Sequence, residues 1–188
     1  ETLRYRILYP EKYKKWKKVQ LFVFLNGVGE RGRGNEAQLI HGGDLFVRED
    51  IRKHFPAIVI FPQCPADSVW AKTKRINNSD QRIFLSDEPP TVPSRLVKEL
   101  MDSLSGNRFV NNKKIYLGGL SLGGFGTYDI LIRYPGYFSS AFPICGACNI
   151  PLFLERAGKV PMWIFHGALD TSVPPGSDRE LYKALMTR

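Results

Sequence analysis

Residues 115–125 read Ile115-Tyr-Leu-Gly-Gly-Leu-Ser121-Leu-Gly-Gly-Phe125. A short apolar run leads into Gly119-x-Ser121-x-Gly123. The apolar stretch Leu122–Arg133 follows and meets the stop signal Tyr134-Pro135-Gly136. The order strand, sharp turn, helix carries more than the glycine pattern itself. A residue at such a turn is held at strained backbone angles and needs small neighbours, which Gly119 and Gly123 supply. Its hydroxyl sits at a helix N-terminus, where free N–H groups and the helix dipole favour developing negative charge. Ser121 is therefore the candidate nucleophile, and the alternative is a structural glycine-rich turn.

Working outward, the runs Gln20–Leu25 (QLFVFL), Ala57–Phe61 (AIVIF), Ile115–Leu117 (IYL), Ala141–Ile144 (AFPI) and Met162–Phe165 (MWIF) are mostly continuous rather than alternating. That is the pattern of strands covered on both faces. Leu3–Leu8 (LRYRIL) alternates and suits an edge strand. Between them, Pro93–Leu104 carries Leu96, Val97, Leu100, Met101 and Leu104 on one helical stripe, and Ser177–Met186 places Leu181, Leu185 and Met186 together. Strand and helix alternate, so the expected class is α/β: a mostly parallel sheet with helices on both faces, in a single domain over residues 1–188.

Two loops at strand ends join Ser121. Asn26-Gly27-Val28-Gly29-Glu30-Arg31-Gly32 follows the first long apolar run, at the kind of sheet edge where open α/β sheets bind ligands. It lacks the Lys-Ser/Thr ending of a nucleotide loop, and its glycines miss the dinucleotide spacing. Its place one element ahead of the Ser121 strand suits a backbone N–H donor at Val28, complementing that of Leu122. His166-Gly-Ala-Leu-Asp170 follows Met162–Phe165, so Asp170 is a candidate acid, the alternative being a loop Asp that caps the turn near Thr171-Ser172.

The charge is +9 with a pI near 9.6. Lys12, Lys14, Lys15, Lys17 and Lys18, interleaved with Tyr13 and Trp16, form the densest basic cluster. No nucleic-acid fold signature accompanies it, so a solvated connector is the expectation rather than a nucleic-acid partner. Cys64, Cys145 and Cys148 make no disulfide framework. Cys145-Gly-Ala-Cys148 has no second ligand pair, which favours buried or half-buried thiols over a redox or zinc role and leaves no metal or cofactor expected. Asn77-Asn78-Ser79 fits a glycosylation acceptor, a pattern that chance often produces. No apolar run reaches the roughly 18–20 residues a membrane span needs. The chain opens Glu1-Thr2 without Met, the expectation for a processed or trimmed N-terminus.

Several motifs then occur in one order: FLNGVGERG ending at Gly32, FPQCP at Phe61–Pro65 followed by Trp70, GLSLGGFGTYD at Gly119–Asp129, PICG at Pro143–Gly146, and FHGALD at Phe165–Asp170. On these residues the chain, from about Tyr5 to Leu185, resembles the α/β-hydrolase esterases related to polyhydroxybutyrate depolymerases, feruloyl and acetyl esterases, and the catalytic domain of prolyl oligopeptidases. The resemblance implies a serine hydrolase that cleaves carboxylic esters through Ser121 and Asp170, with oxyanion N–H groups from Leu122 and Val28 and no cofactor. It implies Trp70 beside a small-molecule or carbohydrate-linked ester, and export rather than a cytoplasmic place. Asn26 stands where relatives carry His, a position that braces the loop.

The family's base is a His in the loop after the last strand. The histidines of this chain are His41, His54 and His166, with Asp170 only a short way before its end. A serine without its base is a weak nucleophile, and loss of the His of a comparable triad costs about 10⁶ in turnover. The expectation is that the chain stops short of that His, with a further C-terminal strand and helix missing. A peptidase or acyltransferase of the same fold, and a non-catalytic carbohydrate-binding relative, stay open as alternatives.

Overall fold

The computed structural model describes residues 1–11, 18–76 and 82–187. Lys12–Lys17 and Asn77–Ser79, with their basic cluster and glycosylation pattern, lie outside the described residues; Lys18 is exposed. Strands β1 (Arg4–Leu8), β2 (Val19–Leu25), β3 (Ala57–Gln63), β6 (Val110–Leu120) and β7 (Ser140–Ile144) form one sheet in the order β1-β3-β2-β6-β7. All neighbours are parallel except β1, which runs antiparallel along the edge of β3. Strands β4 (Thr73–Arg75) and β5 (Arg82–Phe84) make a separate antiparallel pair. The segment Met162–Phe165 continues the sheet beside β7 through two parallel bridges, Ala141 to Met162 and Ile144 to Phe165, rather than as a full strand. Pro161 removes one N–H donor at its start, while Trp163 and Phe165 donate to the carbonyls of Ala141 and Pro143.

The continuous apolar runs have the two-sided environment they predict. Leu21, Val23 and Leu25 of β2 point into the larger core, while Phe22 and Phe24 point the other way. The larger core is closed by α3 (Val92–Ser105), α4 (Leu122–Arg133), α5 (Ile150–Arg156) and α6 (Gly176–Met186), which contribute Met101, Tyr128, Phe153 and Leu181. Thr91 caps α3 by accepting from the Ser94 N–H, and Asn149 caps α5 by accepting from Leu152. On α6 the inward stripe is Leu181 and Leu185, whereas Met186 is exposed, so the apolar face is narrower than its three-residue pattern implies. Among the described residues the opposite face carries the short α1 (Gly43–Val47), α2 (Glu49–His54) and a 3₁₀ turn at Ala37–Leu39. It leaves an apolar groove of roughly 890 Å³ lined by Phe22, Phe46, Tyr116, Phe142 and Trp163.

The chain leaves β2 toward β3 on one side and later returns to lay β6 on the other. A crevice opens at such a switch point, at the carboxyl ends of the strands. Leu25 and Gly119 are register partners there, so the loop after β2 and the turn after β6 face each other.

Candidate active site

Ser121 occupies the turn between β6 and α4 at φ 56°, ψ −111°. This is a strained conformation for a residue with a Cβ. Neighbouring contacts enforce it: its N–H donates to the Ile144 carbonyl at 2.8 Å, and its carbonyl accepts from the Phe125 N–H at 3.0 Å. The flanking glycines are required sterically. A Cβ on Gly123 would lie 2.0 Å from the Leu25 carbonyl oxygen, and one on Gly119 would lie 2.4 Å from the Gly123 oxygen. Leu122 is the first residue of α4, so its N–H has no partner within the helix.

The loop after β2 comes to the same point. A Cβ built on Gly27 would be 3.8 Å from the Ser121 Cβ. Val28 opens a single 3₁₀ turn, Val28–Glu30, and its side chain is half exposed. Asn26 holds the loop from within: buried, it accepts from the Cys64 N–H at 3.0 Å and donates to the Gly27 carbonyl at 2.6 Å. Trp70 is completely buried, and its indole N–H donates to the Asn26 carbonyl at 3.0 Å. That corrects the expectation of a substrate-facing aromatic. Trp70 packs beneath the loop, where a Cβ on Gly126 would lie 2.4 Å from its own Cβ, and no ring face is left for a sugar. Gln63 and Arg31 complete the bracing by donating to the carbonyls of Glu30 and Ser68.

On the other side of Ser121, the ends of β7 and of Met162–Phe165 carry the acid loop. The Cys145 N–H donates to the Phe165 carbonyl at 2.8 Å. Asp170 Oδ1 accepts from the N–H groups of Ser172 and Val173, each at 2.9 Å. These two bonds hold its carboxyl below the ordinary carboxylate range. Asp170 thus does cap its own turn, while Oδ2 carries none of these bonds and lies 3.8 Å from His166 Nε2.

Beneath that turn lies Asp178, which the sequence motifs did not include, among motif residues Tyr128, Gly146 and His166. Asp178, on α6, is 3% exposed. It accepts from the Tyr128 hydroxyl at 2.6 Å and the Gly146 N–H at 3.2 Å, and lies 2.6 Å from His166 Nδ1. Burial pushes its carboxyl up. A signal was present, since Asp178 stands three residues before Leu181 on the inward stripe of α6. His166 Nε2 bonds the Val173 carbonyl at 2.8 Å. With both nitrogens engaged, His166 cannot serve as a base for Ser121. For the same reason the cluster of Cys145, His166 and Asp170, whose ligand-type atoms lie within 4.8 Å of one another, offers no free imidazole lone pair to a cation.

His41 is half exposed, with Nε2 3.4 Å from Glu30 Oε1, and His54 bonds the Asp50 carbonyl at the end of α2. All three cysteines are free. Burial raises the thiols, that of Cys64 to about 12, so none is activated. No helix of the described residues is long and apolar enough to cross a membrane.

No protein-family model matches the chain. A curated relative is poly(3-hydroxyalkanoate) depolymerase C of Paucimonas lemoignei, 26% identical over 113 residues, which are 45% of this chain and 27% of that protein. Among solved structures, a thermostable esterase superposes with a TM-score of 0.84 at 31% identity, over 97% of this chain and 47% of the esterase. Esterase PE8 matches at TM-score 0.69 and 19% identity over 100% of this chain and 85% of PE8. The acetyl xylan esterase of Aspergillus awamori matches at TM-score 0.68 and 15% identity, over 97% and 74% of the two chains. The chain spans about a quarter of the depolymerase and about half of the thermostable esterase.

Proposed function

We propose that this chain, which has the α/β-hydrolase fold and structural neighbours that are esterases, is the catalytic part of a serine carboxylic ester hydrolase. The observation that carries the reading is the strained Ser121 turn, facing one glycine loop and lying two strands from a carboxylate. In the proposed reaction Ser121 Oγ attacks the acyl carbonyl, and its proton passes to a histidine from outside these 188 residues, oriented by Asp170. The oxyanion is held by the N–H groups of Leu122 and Val28. The alcohol leaves with the proton returned from the base, and water then releases the acid from Ser121. Neither step calls for a metal or cofactor.

Ser121 is the proposed nucleophile and Asp170 the proposed acid; the substrate is a small-molecule or carbohydrate-linked ester. A fluorophosphonate probe added to the full-length protein should label Ser121 and stop turnover of a short-chain nitrophenyl ester. Ser121→Ala should abolish both while keeping the fold. Ester turnover that survives in Ser121→Ala would overturn the reading. Cleavage of a prolyl peptide in place of the ester would move the assignment to a peptidase of this fold.

A further inference from the structure

Asp170 is held in place by bonds that trace back, through buried side chains, to the helix that starts at Ser121. Tyr128 lies on α4 about two turns from Ser121 and is completely buried. Its hydroxyl donates to Asp178 Oδ1 at 2.6 Å. Asp178 Oδ2 lies 2.6 Å from His166 Nδ1, and His166 Nε2 lies 2.8 Å from the Val173 carbonyl. The N–H of that same Val173 donates to Asp170 Oδ1 at 2.9 Å. His166 and Asp170 therefore grip one residue from its two polar ends.

We propose that His166 and Asp178 are positioning residues that clamp the acid loop and hold Asp170 in its working orientation. This rests on the esterase reading, in which Asp170 is the acid.

The proton count supports a clamp. A carbonyl only accepts, so His166 Nε2 carries a proton directed at Val173. Asp178 accepts from Tyr128 and Gly146, so its contact with Nδ1 needs one more proton between them. Imidazolium with carboxylate, or imidazole with carboxylic acid, meets that need equally, and the pair is neutral in both. Removing that proton would set two lone pairs against each other at 2.6 Å. An ionisable pair this buried (Asp178 3% exposed, the His166 side chain 7%) is costlier than apolar packing of the same volume, so stability alone is a poor account of it. Its position directly behind the Asp170 turn gives it a task that apolar side chains could not perform: fixing the Val173 carbonyl.

The test uses the full-length protein. His166→Gln and Asp178→Asn should lower kcat roughly tenfold to a hundredfold, the usual scale for groups that orient a functional side chain, with KM changed less than about twofold. Tyr128→Phe removes only the far hydroxyl and should act in the same direction more weakly; it also serves if the other variants fold poorly. Because the clamp acts through Asp170, adding His166→Gln to Asp170→Asn should slow turnover by less than about twofold more. Amide resonances of Ser172 and Val173 should move in all three clamp variants, whether or not the protein turns over an ester. An unresponsive pair of amides, or an equal kcat loss with and without Asp170, overturns the clamp. A wild-type protein without ester turnover overturns the esterase reading instead, and the amide shifts then decide the clamp.

Discussion

The two loops that flank Ser121 are held by different chemistry. The loop after β2 is tied to main chain mostly through neutral groups, the Asn26 amide, the Trp70 indole and the Gln63 amide, with the Arg31 guanidinium added at its far end. The acid loop rests on ionisable groups, with Asp170 bonded to two N–H groups and the His166–Asp178 pair buried behind it. In the proposed reaction the first loop has only to present backbone donors, which need no particular charge. The second, in that proposed reaction, has to present a carboxylate, which donors must solvate. The ionised Asp170 and the buried Asp178 behind it couple the second loop to pH.

The largest separation of the two loops should come from changes that leave side-chain volume nearly constant. Asp170→Asn keeps the shape and the acceptor for the Ser172 and Val173 N–H groups but loses the charge that would stabilise an ionised base. Ester turnover should fall by about 10⁴, the scale seen when the acid of such a triad becomes an amide. On the other loop, the proposed contribution is the Val28 N–H alone. Val28→Pro deletes that donor at a position preceded by the extended Gly27 (ψ −178°), which tolerates a following proline. It should lower kcat by about 10²–10³, while Val28→Ala, changing only a half-exposed side chain, should be close to wild type. Equal rates for the two Val28 variants would remove Val28 from the site.

How much of this was legible in the sequence follows from the range of the forces involved. The long strands, α4 and the Ser121 turn are written in local periodicity and in glycine spacing, and they stand within a few residues of where the pattern puts them. The helices α1, α2 and α5 are too short for a periodic stripe, although Asn149 followed by Pro151 was a usable start signal for α5. Trp70 was misplaced because nothing local says whether an aromatic in a loop faces solvent or the core; its indole N–H finds Asn26 across 44 residues of chain. The His166–Asp178 contact is likewise tertiary, joining a strand end to a helix. Asp178 was readable only as an acid on an apolar stripe, a conflict that buried partners resolve.

The smallest expected effect is the one that compares Asp170 directly with Asp178, the carboxylate on α6 behind it. Asp170 is held below its unfolded value, about 3.9, so its ionised form contributes stability that is present above that pH and is lost as pH falls through the lower folded value. Asp178 is raised, so the sign reverses. Between about 3.9 and its higher folded value Asp178 keeps a proton in the folded state that it releases in the unfolded one, so its own contribution to stability declines as pH rises. The difference in melting temperature between wild type and Asp170→Asn should therefore grow with pH below about 3.9 and then level off. The difference between wild type and Asp178→Asn should be flat there and change in the opposite direction above it. A Val28→Ala control, which alters no ionisable group, should run parallel to wild type throughout. Thermal melts from about pH 2.5 to 6.5, chosen to bracket the unfolded carboxylate value, make the comparison. Curves of the same sign for both carboxylates would show that Asp170 and Asp178 are not held in the opposite ways assigned to them.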